Sequence, residues 1–119
     1  MKKLFYFLFI LFFISCSQNQ QTDGKSTSAD ITTQTATIIL NSLVCNSCIK
    51  TITEAVNKIE GVKTITIDLD KKNAFVTFLP SKTSLVVIEK TITDAGYNAN
   101  DKKRNEDAFN NLDECCKIK

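Results

Sequence analysis

The pattern of hydrophobic and polar positions changes several times between residues 35 and 100. Three stretches alternate apolar and polar residues, which predicts β-strands with one buried face. Two longer stretches carry apolar residues three or four positions apart, which predicts amphipathic helices. The buried residues that this pattern predicts are Ala36, Ile38 and Leu40 in the first strand, Ile49, Ile52, Val56 and Ile59 in the first helix, Ile65, Ile67 and Leu69 in the second strand, Ala74, Val76 and Phe78 in the third strand, and Leu85, Ile88, Ile92 and Ala95 in the second helix.

The order of these elements predicts the fold class. Gly61 and Gly96 end the two helices, and the segment YNAN after Gly96 is expected to form a short fourth strand. The order is therefore strand, helix, strand, strand, helix, strand. Two strand–helix–strand units side by side predict an α+β, ferredoxin-like βαββαβ sandwich, in which a four-stranded antiparallel sheet carries two helices on one face.

The first fifteen residues have the pattern of a targeting segment. Two lysines precede an unbroken apolar run from Leu4 to Ile14, which is typical of a secretory signal peptide and too short to span a bilayer. The following FISC resembles a bacterial lipobox, and this resemblance implies that Cys16 is lipidated and becomes the first mature residue. We therefore expect an extracytoplasmic protein of the cell envelope with a lipid anchor at its N-terminus. An ordinary signal peptide cleaved nearby is the alternative.

Composition divides the rest of the chain. Residues 16–34 are rich in Ser, Thr and Gln and have almost no large apolar side chains, so we expect a flexible linker there. The predicted organisation is a signal peptide at 1–15, this lipid-anchored linker, one folded domain at 35–100 and a C-terminal tail at 101–119.

The balance of charge argues against several functions. The 119-residue chain has 15 Lys and Arg against 13 Asp and Glu, and Lys2 and Lys3 of the targeting segment account for the difference. No basic patch with interleaved aromatic residues remains, so nucleic acid is a poor candidate partner. Paired carboxylates, a phosphate loop and a nucleophile–base pair are all missing from the sequence. We therefore predict that the protein is not an enzyme.

The cysteines carry the candidate chemistry. Beyond Cys16 they form two pairs, Cys45 with Cys48 and Cys115 with Cys116, and the sequence contains no histidine. The first pair is expected on the loop after the first strand and in the first turn of the first helix, where free backbone N–H groups and the helix dipole favour thiolates. Two converging thiolates favour soft metal ions, with Cu(I) first and Hg(II) or Zn(II) as alternatives.

The spacing of several motifs resembles the heavy-metal-associated domain. The apolar first strand, the two-cysteine loop, EGV at the second strand and DAGY at the end of the second helix carry this resemblance. It implies that Cys45 and Cys48 are the metal ligands, that Leu43 fills an apolar pocket beside them and that Tyr97 shields the site. Ser42 and Leu43 stand where the family commonly has Gly and Met, so we expect Ser42 to stiffen the loop.

The same resemblance implies a function outside the cytoplasm. The family includes copper chaperones and a periplasmic mercury-binding protein, so the chain is expected to carry or sequester a soft metal ion. The implied partner is a metal transporter or an efflux component of the cell envelope. Two alternatives stay open for the first cysteine pair. One is a thioredoxin-like thiol–disulfide redox protein, which also places CxxC at a helix start, and the other is a structural disulfide.

The tail supports two interpretations. Phe109, Leu112 and one of Cys115 and Cys116 fall at helical spacing, which predicts a short amphipathic helix that docks on the domain. The two cysteines either supply additional metal ligands by reaching back to the first pair, or form a vicinal or intermolecular disulfide. Additional sulfur ligands would favour Zn(II), Cd(II) or a Cu(I) cluster.

Overall fold

The computed structural model describes residues 32–117 of the chain. The predicted signal peptide, Cys16 and most of the predicted linker lie outside the described residues. The elements are β1 (Gln34–Ile39), α1 (Asn46–Asn57), β2 (Val62–Asp68), β3 (Asn73–Phe78), α2 (Leu85–Asp94), α3 (Glu106–Asn110) and a 3₁₀ helix (Glu114–Lys117). Within this range, no helix has both the length and the apolar character needed to cross a membrane.

The three strands form one antiparallel sheet in the order β1-β3-β2. Side chains along the central strand alternate between a buried face and a solvent-exposed face of the sheet, because successive side chains of a strand point to opposite sides. Ala74 and Val76 of β3 are fully buried, whereas Phe75 between them is 43% exposed. The predicted strand pattern is therefore confirmed for the sheet that forms.

The buried sheet face and the apolar stripes of both long helices belong to one core cluster. Burial of these stripes removes apolar surface from water, which is the main stabilising contribution to such a small fold. The fully buried predicted residues are Ile38, Leu40, Ile52, Val56, Ala74, Val76, Ile88 and Ile92, with Phe78 almost fully buried. The other predicted residues pack against them and are partly buried: Ala36, Ile49, Ile59, Ile65, Ile67, Leu69, Leu85 and Ala95.

The predicted fourth strand does not form as a strand in the described part of the chain, so the four-stranded sheet is not confirmed. Instead, Asn100 alone occupies the free edge of β1. Its backbone nitrogen donates to the Ile39 carbonyl at 2.8 Å, and its side-chain oxygen accepts from the Ile39 nitrogen at 2.8 Å. Asn100 has a φ of 54°, and the chain turns back at once through a bridge between Ala99 and Lys102. A residue in this left-handed conformation cannot continue an extended strand.

The tail folds back onto the domain, as the sequence predicts, although in two short helices rather than one. The Asn105 nitrogen donates to the Thr93 carbonyl at 2.8 Å, and the Asn105 side chain caps α3 by accepting from the Ala108 nitrogen at 3.0 Å. The backbone of α3 lies so close to Gly96 that an added Cβ would be 2.8 Å from the Phe109 nitrogen. The end of α2 therefore fixes where the tail begins.

Gly96→Ala is expected to loosen the tail, because Gly96 has a φ of 97° and backbone atoms fill the space that the new methyl group needs. We expect the free energy of unfolding to fall by about 1–3 kcal/mol, with faster amide hydrogen exchange in α3. Gly61→Ala is the matched control, since Gly61 has a φ of 99° but its Cβ would meet the side chain of Lys82. Unchanged exchange in α3 of the Gly96 variant would show that the close approach does not hold the tail.

Candidate metal centre

The loop between β1 and α1 is held by two buried leucines and by a hydrogen bond to the segment after α2. Leu40 and Leu43 are fully buried, and the Leu43 nitrogen donates to the Leu40 carbonyl at 2.9 Å, which closes a tight turn. The Asn98 nitrogen donates to the Ser42 hydroxyl at 2.9 Å, so this loop is tied to the segment after α2. The bond agrees with the expectation that Ser42 stiffens the loop.

The first cysteine pair lies where the chain turns into α1. Cys45 is the extended residue that caps the helix, and the Cys48 nitrogen donates to the Cys45 carbonyl at 3.1 Å in the first turn. Their sulfurs are 3.5 Å apart. Cys48 is fully buried and Cys45 is half-buried, so one sulfur of the pair faces the core and the other lies near the surface.

The tail places both of its cysteines against this pair. The Cys116 sulfur is 2.8 Å from that of Cys48 and 3.6 Å from that of Cys45. The sulfurs of Cys45, Cys115 and Cys116 also lie within 4.8 Å of one another. All four residues are free cysteines, and these distances exceed the roughly 2.05 Å of a disulfide bond. The structure therefore brings both sequence-predicted pairs into one thiol cluster.

Contacts within the cluster shift the pKa values of its thiols in different directions. A hydrogen bond from Cys115 is the main cause that lowers the pKa of Cys45, to about 7. The same interaction raises the pKa of Cys115, since its proton is shared with Cys45. Burial is the main cause that raises the pKa of Cys116. Cys45, which also lies at the positive end of the α1 dipole, is therefore the thiol best suited to become a thiolate near neutral pH.

Tyr97 lies against the tail side of the cluster. The residue is fully buried, and its hydroxyl donates to the Cys116 sulfur at 3.5 Å. Burial raises the pKa of the Tyr97 phenol, so it keeps its proton and acts as a donor. The resemblance to the family implies an aromatic residue beside the site, and the structure places Tyr97 there with Cys116 as its sulfur contact.

Sequence reasoning left open whether the tail cysteines reach the first pair, and it missed that Cys116 in particular contacts Cys48, 68 positions away. It also missed the contacts that hold the Asn100 side chain. The amide of Asn100 donates to the Glu89 carboxylate, and Glu89 forms an ion pair with Lys102. The amphipathic spacing of the tail was a signal that it docks. No local pattern indicated which of the two tail cysteines would contact Cys48.

The donor atoms of the cluster decide what it can bind. In the part of the chain that the structure describes, a group of three ligand side chains close enough to hold an ion together, Cys45, Cys115 and Cys116, is found only within this thiol cluster. A set of thiols without imidazole or carboxylate selects soft, thiophilic ions over hard ones such as Mg²⁺ or Ca²⁺.

Several known proteins are similar to this chain in sequence and in fold. A mercuric transport protein periplasmic component from Serratia marcescens is 37% identical over 71 residues, which are 60% of this chain and 78% of that protein. The crystal structure of oxidized MerP from Ralstonia metallidurans CH34 is 35% identical with a TM-score of 0.55, covering 57% of this chain and 94% of its own. A copper binding domain from HMA7, a P-type ATPase, is 25% identical with a TM-score of 0.53 over 55% of this chain and 88% of its own.

These likenesses confirm the ferredoxin-like class of the fold, and they give no support to the thioredoxin-like alternative. The relatives are named as a transport protein and as a copper binding domain. The heavy-metal-associated domain matches residues 40–98, which run from the end of β1 through both cysteines of the loop to the segment after α2. The chain therefore belongs to the heavy-metal-associated domain family.

Proposed function

We propose that this protein is an extracytoplasmic carrier of a soft metal ion, held between the thiolates of Cys45 and Cys48. The observation that carries the proposal is the pair of sulfurs 3.5 Å apart at the start of α1. They lie on a loop that two buried leucines and the Ser42 hydrogen bond hold in place. A preformed pair of soft donors binds an ion without first ordering the chain, which favours tight binding.

The proposed ion is Hg(II) or Cu(I). The two converging thiolates that the sequence predicts put Cu(I) first, whereas the Serratia marcescens relative is named as a mercuric transport protein. Both ions accept two thiolates, whereas structural Zn(II) sites usually have four ligands. The pair Cys45 and Cys48 alone therefore favours the two softer ions.

The proposed location is the outer side of a membrane, in keeping with the periplasmic relative. We propose that residues 1–15 direct export, that lipid on Cys16 anchors the chain and that residues 16–34 tether the domain at 35–100. A flexible linker of this length spans roughly 20–25 Å, which lets the domain move near the membrane. The partner proposed for delivery is a metal transporter or efflux component in the same envelope.

Unequal exposure of the two sulfurs gives a mechanism for loading and transfer. The half-buried Cys45 has the lowered pKa, so its thiolate is available to meet an incoming ion first. The buried Cys48 sulfur, 3.5 Å away, then completes the chelate. Release follows the reverse order, because a thiolate of the partner can replace Cys45 while Cys48 still holds the ion.

Replacing both loop thiols is expected to abolish tight binding. The full chain in detergent, reduced and anaerobic, would be titrated with Hg(II) and with Cu(I) against competing chelators. Cys45→Ser/Cys48→Ser should weaken binding of the carried ion by at least about 100-fold, since the chelate is lost. Cys16→Ser is the control, and it should keep the affinity while losing the proposed lipid anchor. Equal affinity in the double variant and the parent would refute the proposed function.

The acidity of Cys45 gives a prediction for pH. Its thiolate fraction, and hence its rate of alkylation, should be half-maximal near pH 7 and should fall below that pH as the thiol is protonated. Cys115→Ala removes the main cause of the lowered pKa and should move the midpoint upward. Mass spectrometry of the Cys45 peptide after timed iodoacetamide treatment follows the reaction. A midpoint near the ordinary thiol value of about 8.5 in the parent would contradict the lowered pKa of Cys45, and an unchanged midpoint in Cys115→Ala would contradict the role of Cys115.

A further inference from the structure

The four sulfurs of the cluster form two triangles that share an edge. Cys45, Cys48 and Cys116 make the first, with sides of 3.5, 3.6 and 2.8 Å between their sulfurs. Cys45, Cys115 and Cys116 make the second, with every side within 4.8 Å. The shared edge joins Cys45 to Cys116, so one residue of each pair lies at the centre of the cluster.

These separations are close to those of a thiolate metal site. Sulfurs bound at about 2.3 Å around a tetrahedral ion lie about 3.8 Å from one another. The distances of 3.5 and 3.6 Å from Cys45 to its two nearer neighbours come within a few tenths of an ångström of that value. The shorter contact between Cys48 and Cys116 has to open by about 1 Å. A change of side-chain torsion in the 3₁₀ helix at the end of the chain can supply this movement.

Several contacts of the domain determine where the tail lies. The Asn105 hydrogen bond to Thr93 and the close approach at Gly96 fix where the tail begins. The Cys116 nitrogen donates to the Asp113 carbonyl at 2.9 Å, which shapes the turn that carries both cysteines. These contacts involve no sulfur, so the position of Cys115 and Cys116 beside the first pair is also supported by contacts outside the thiol cluster.

Simple packing explains only part of this arrangement. A buried free cysteine often acts as a small apolar side chain, and Cys116, which is 3% exposed, fits that description. Cys115 does not, because it stays half-buried at the rim and yet lies within reach of two other sulfurs. Adjacent residues that both turn toward one neighbour, Cys45, are better explained by a shared ligand role.

We propose that Cys115 and Cys116 join Cys45 and Cys48 in one closed site for a divalent thiophilic ion that takes three or four thiolate ligands. The proposal rests on the proposed function, since the loop pair provides half of the ligands. Ions such as Zn(II) and Cd(II) favour this ligand number. The tail thereby extends the range of ions that the domain retains, and it holds them more firmly than the loop pair alone.

Cadmium(II) is the probe for this site, because its thiolate complexes absorb in the ultraviolet in proportion to the number of sulfur ligands. The full chain would be studied reduced and anaerobic in a Cys16→Ser background, which leaves only the four thiols of the cluster. Titration against a competing chelator gives the affinity, and ¹¹³Cd NMR reports the ligand set. The variants are Cys115→Ser/Cys116→Ser and Cys45→Ser/Cys48→Ser, with Glu114→Gln as a control that alters the tail but keeps its sulfurs.

The tail double variant should bind Cd(II) at least about 100-fold more weakly than the parent, with about half of the charge-transfer absorbance. Glu114→Gln should match the parent in both respects. Circular dichroism of the double variant checks that the domain stays folded, and its Hg(II) or Cu(I) binding through Cys45 and Cys48 gives a second check.

Two results separate the possible failures. If the tail double variant matches the parent in Cd(II) affinity and absorbance while Cys45→Ser/Cys48→Ser loses Hg(II) or Cu(I), the closed site is wrong and the carrier function stands. If the parent binds none of these ions tightly, the proposed function is wrong and the closed site falls with it.

Discussion

The Cys116 side chain lies between two fully buried residues, Cys48 and Tyr97, and the assembly of the thiol cluster depends on this packing. Its sulfur is 2.8 Å from the Cys48 sulfur and 3.5 Å from the Tyr97 hydroxyl. Cys48 belongs to the first turn of α1, and Tyr97 follows directly after the glycine that ends α2. One tail residue therefore touches both halves of the βαββα framework, and the thiol cluster forms where those halves meet.

The surrounding fold makes this contact specific. Leu43 and Tyr97 are fully buried beside the loop, and they pack in the same core cluster as Cys48 and Cys116. Two hydrogen bonds also hold the loop and the segment after α2. The Asn98 nitrogen donates to the Ser42 hydroxyl, and the Asn100 side chain accepts from the Ile39 nitrogen at the edge of β1. The family framework supplies the CxxC loop, and the tail of this chain adds a second pair of thiols to it.

Periodicity was sufficient to predict the elements that bury a face. Ile38 and Val76 belong to apolar residues that recur at every second position of their strands, and Ile52 and Ile88 recur at helical spacing, so the local pattern predicts their burial. The same reasoning failed for the last strand, because the left-handed conformation of Asn100 and its side-chain bond to Ile39 depend on tertiary structure. The sequence left open whether Cys115 and Cys116 reach the first pair, and the 3₁₀ turn that carries them brings both sulfurs within 4.8 Å of the Cys45 sulfur.

The close approach of the sulfurs also sets a chemical constraint outside the cytoplasm. Free thiols that lie within 4 Å of each other are readily joined by an oxidant, and extracytoplasmic compartments favour disulfides. Under the proposed function, a bound ion occupies the sulfur lone pairs of Cys45 and Cys48 and removes the nucleophilic thiolate on which oxidation depends. Metal loading and protection of the thiols are then the same event.

X-ray absorption at the metal edge of the full chain loaded with one Hg(II) or Cu(I) is the most direct test of whether the thiols hold the ion. It reports the identity and number of the neighbouring atoms. We expect a first shell made of sulfur alone, with at least two sulfur neighbours, and we expect this shell to be lost in Cys45→Ser/Cys48→Ser. A shell of nitrogen or oxygen atoms, or a sulfur shell that persists unchanged in that variant, would contradict a carrier built on Cys45 and Cys48.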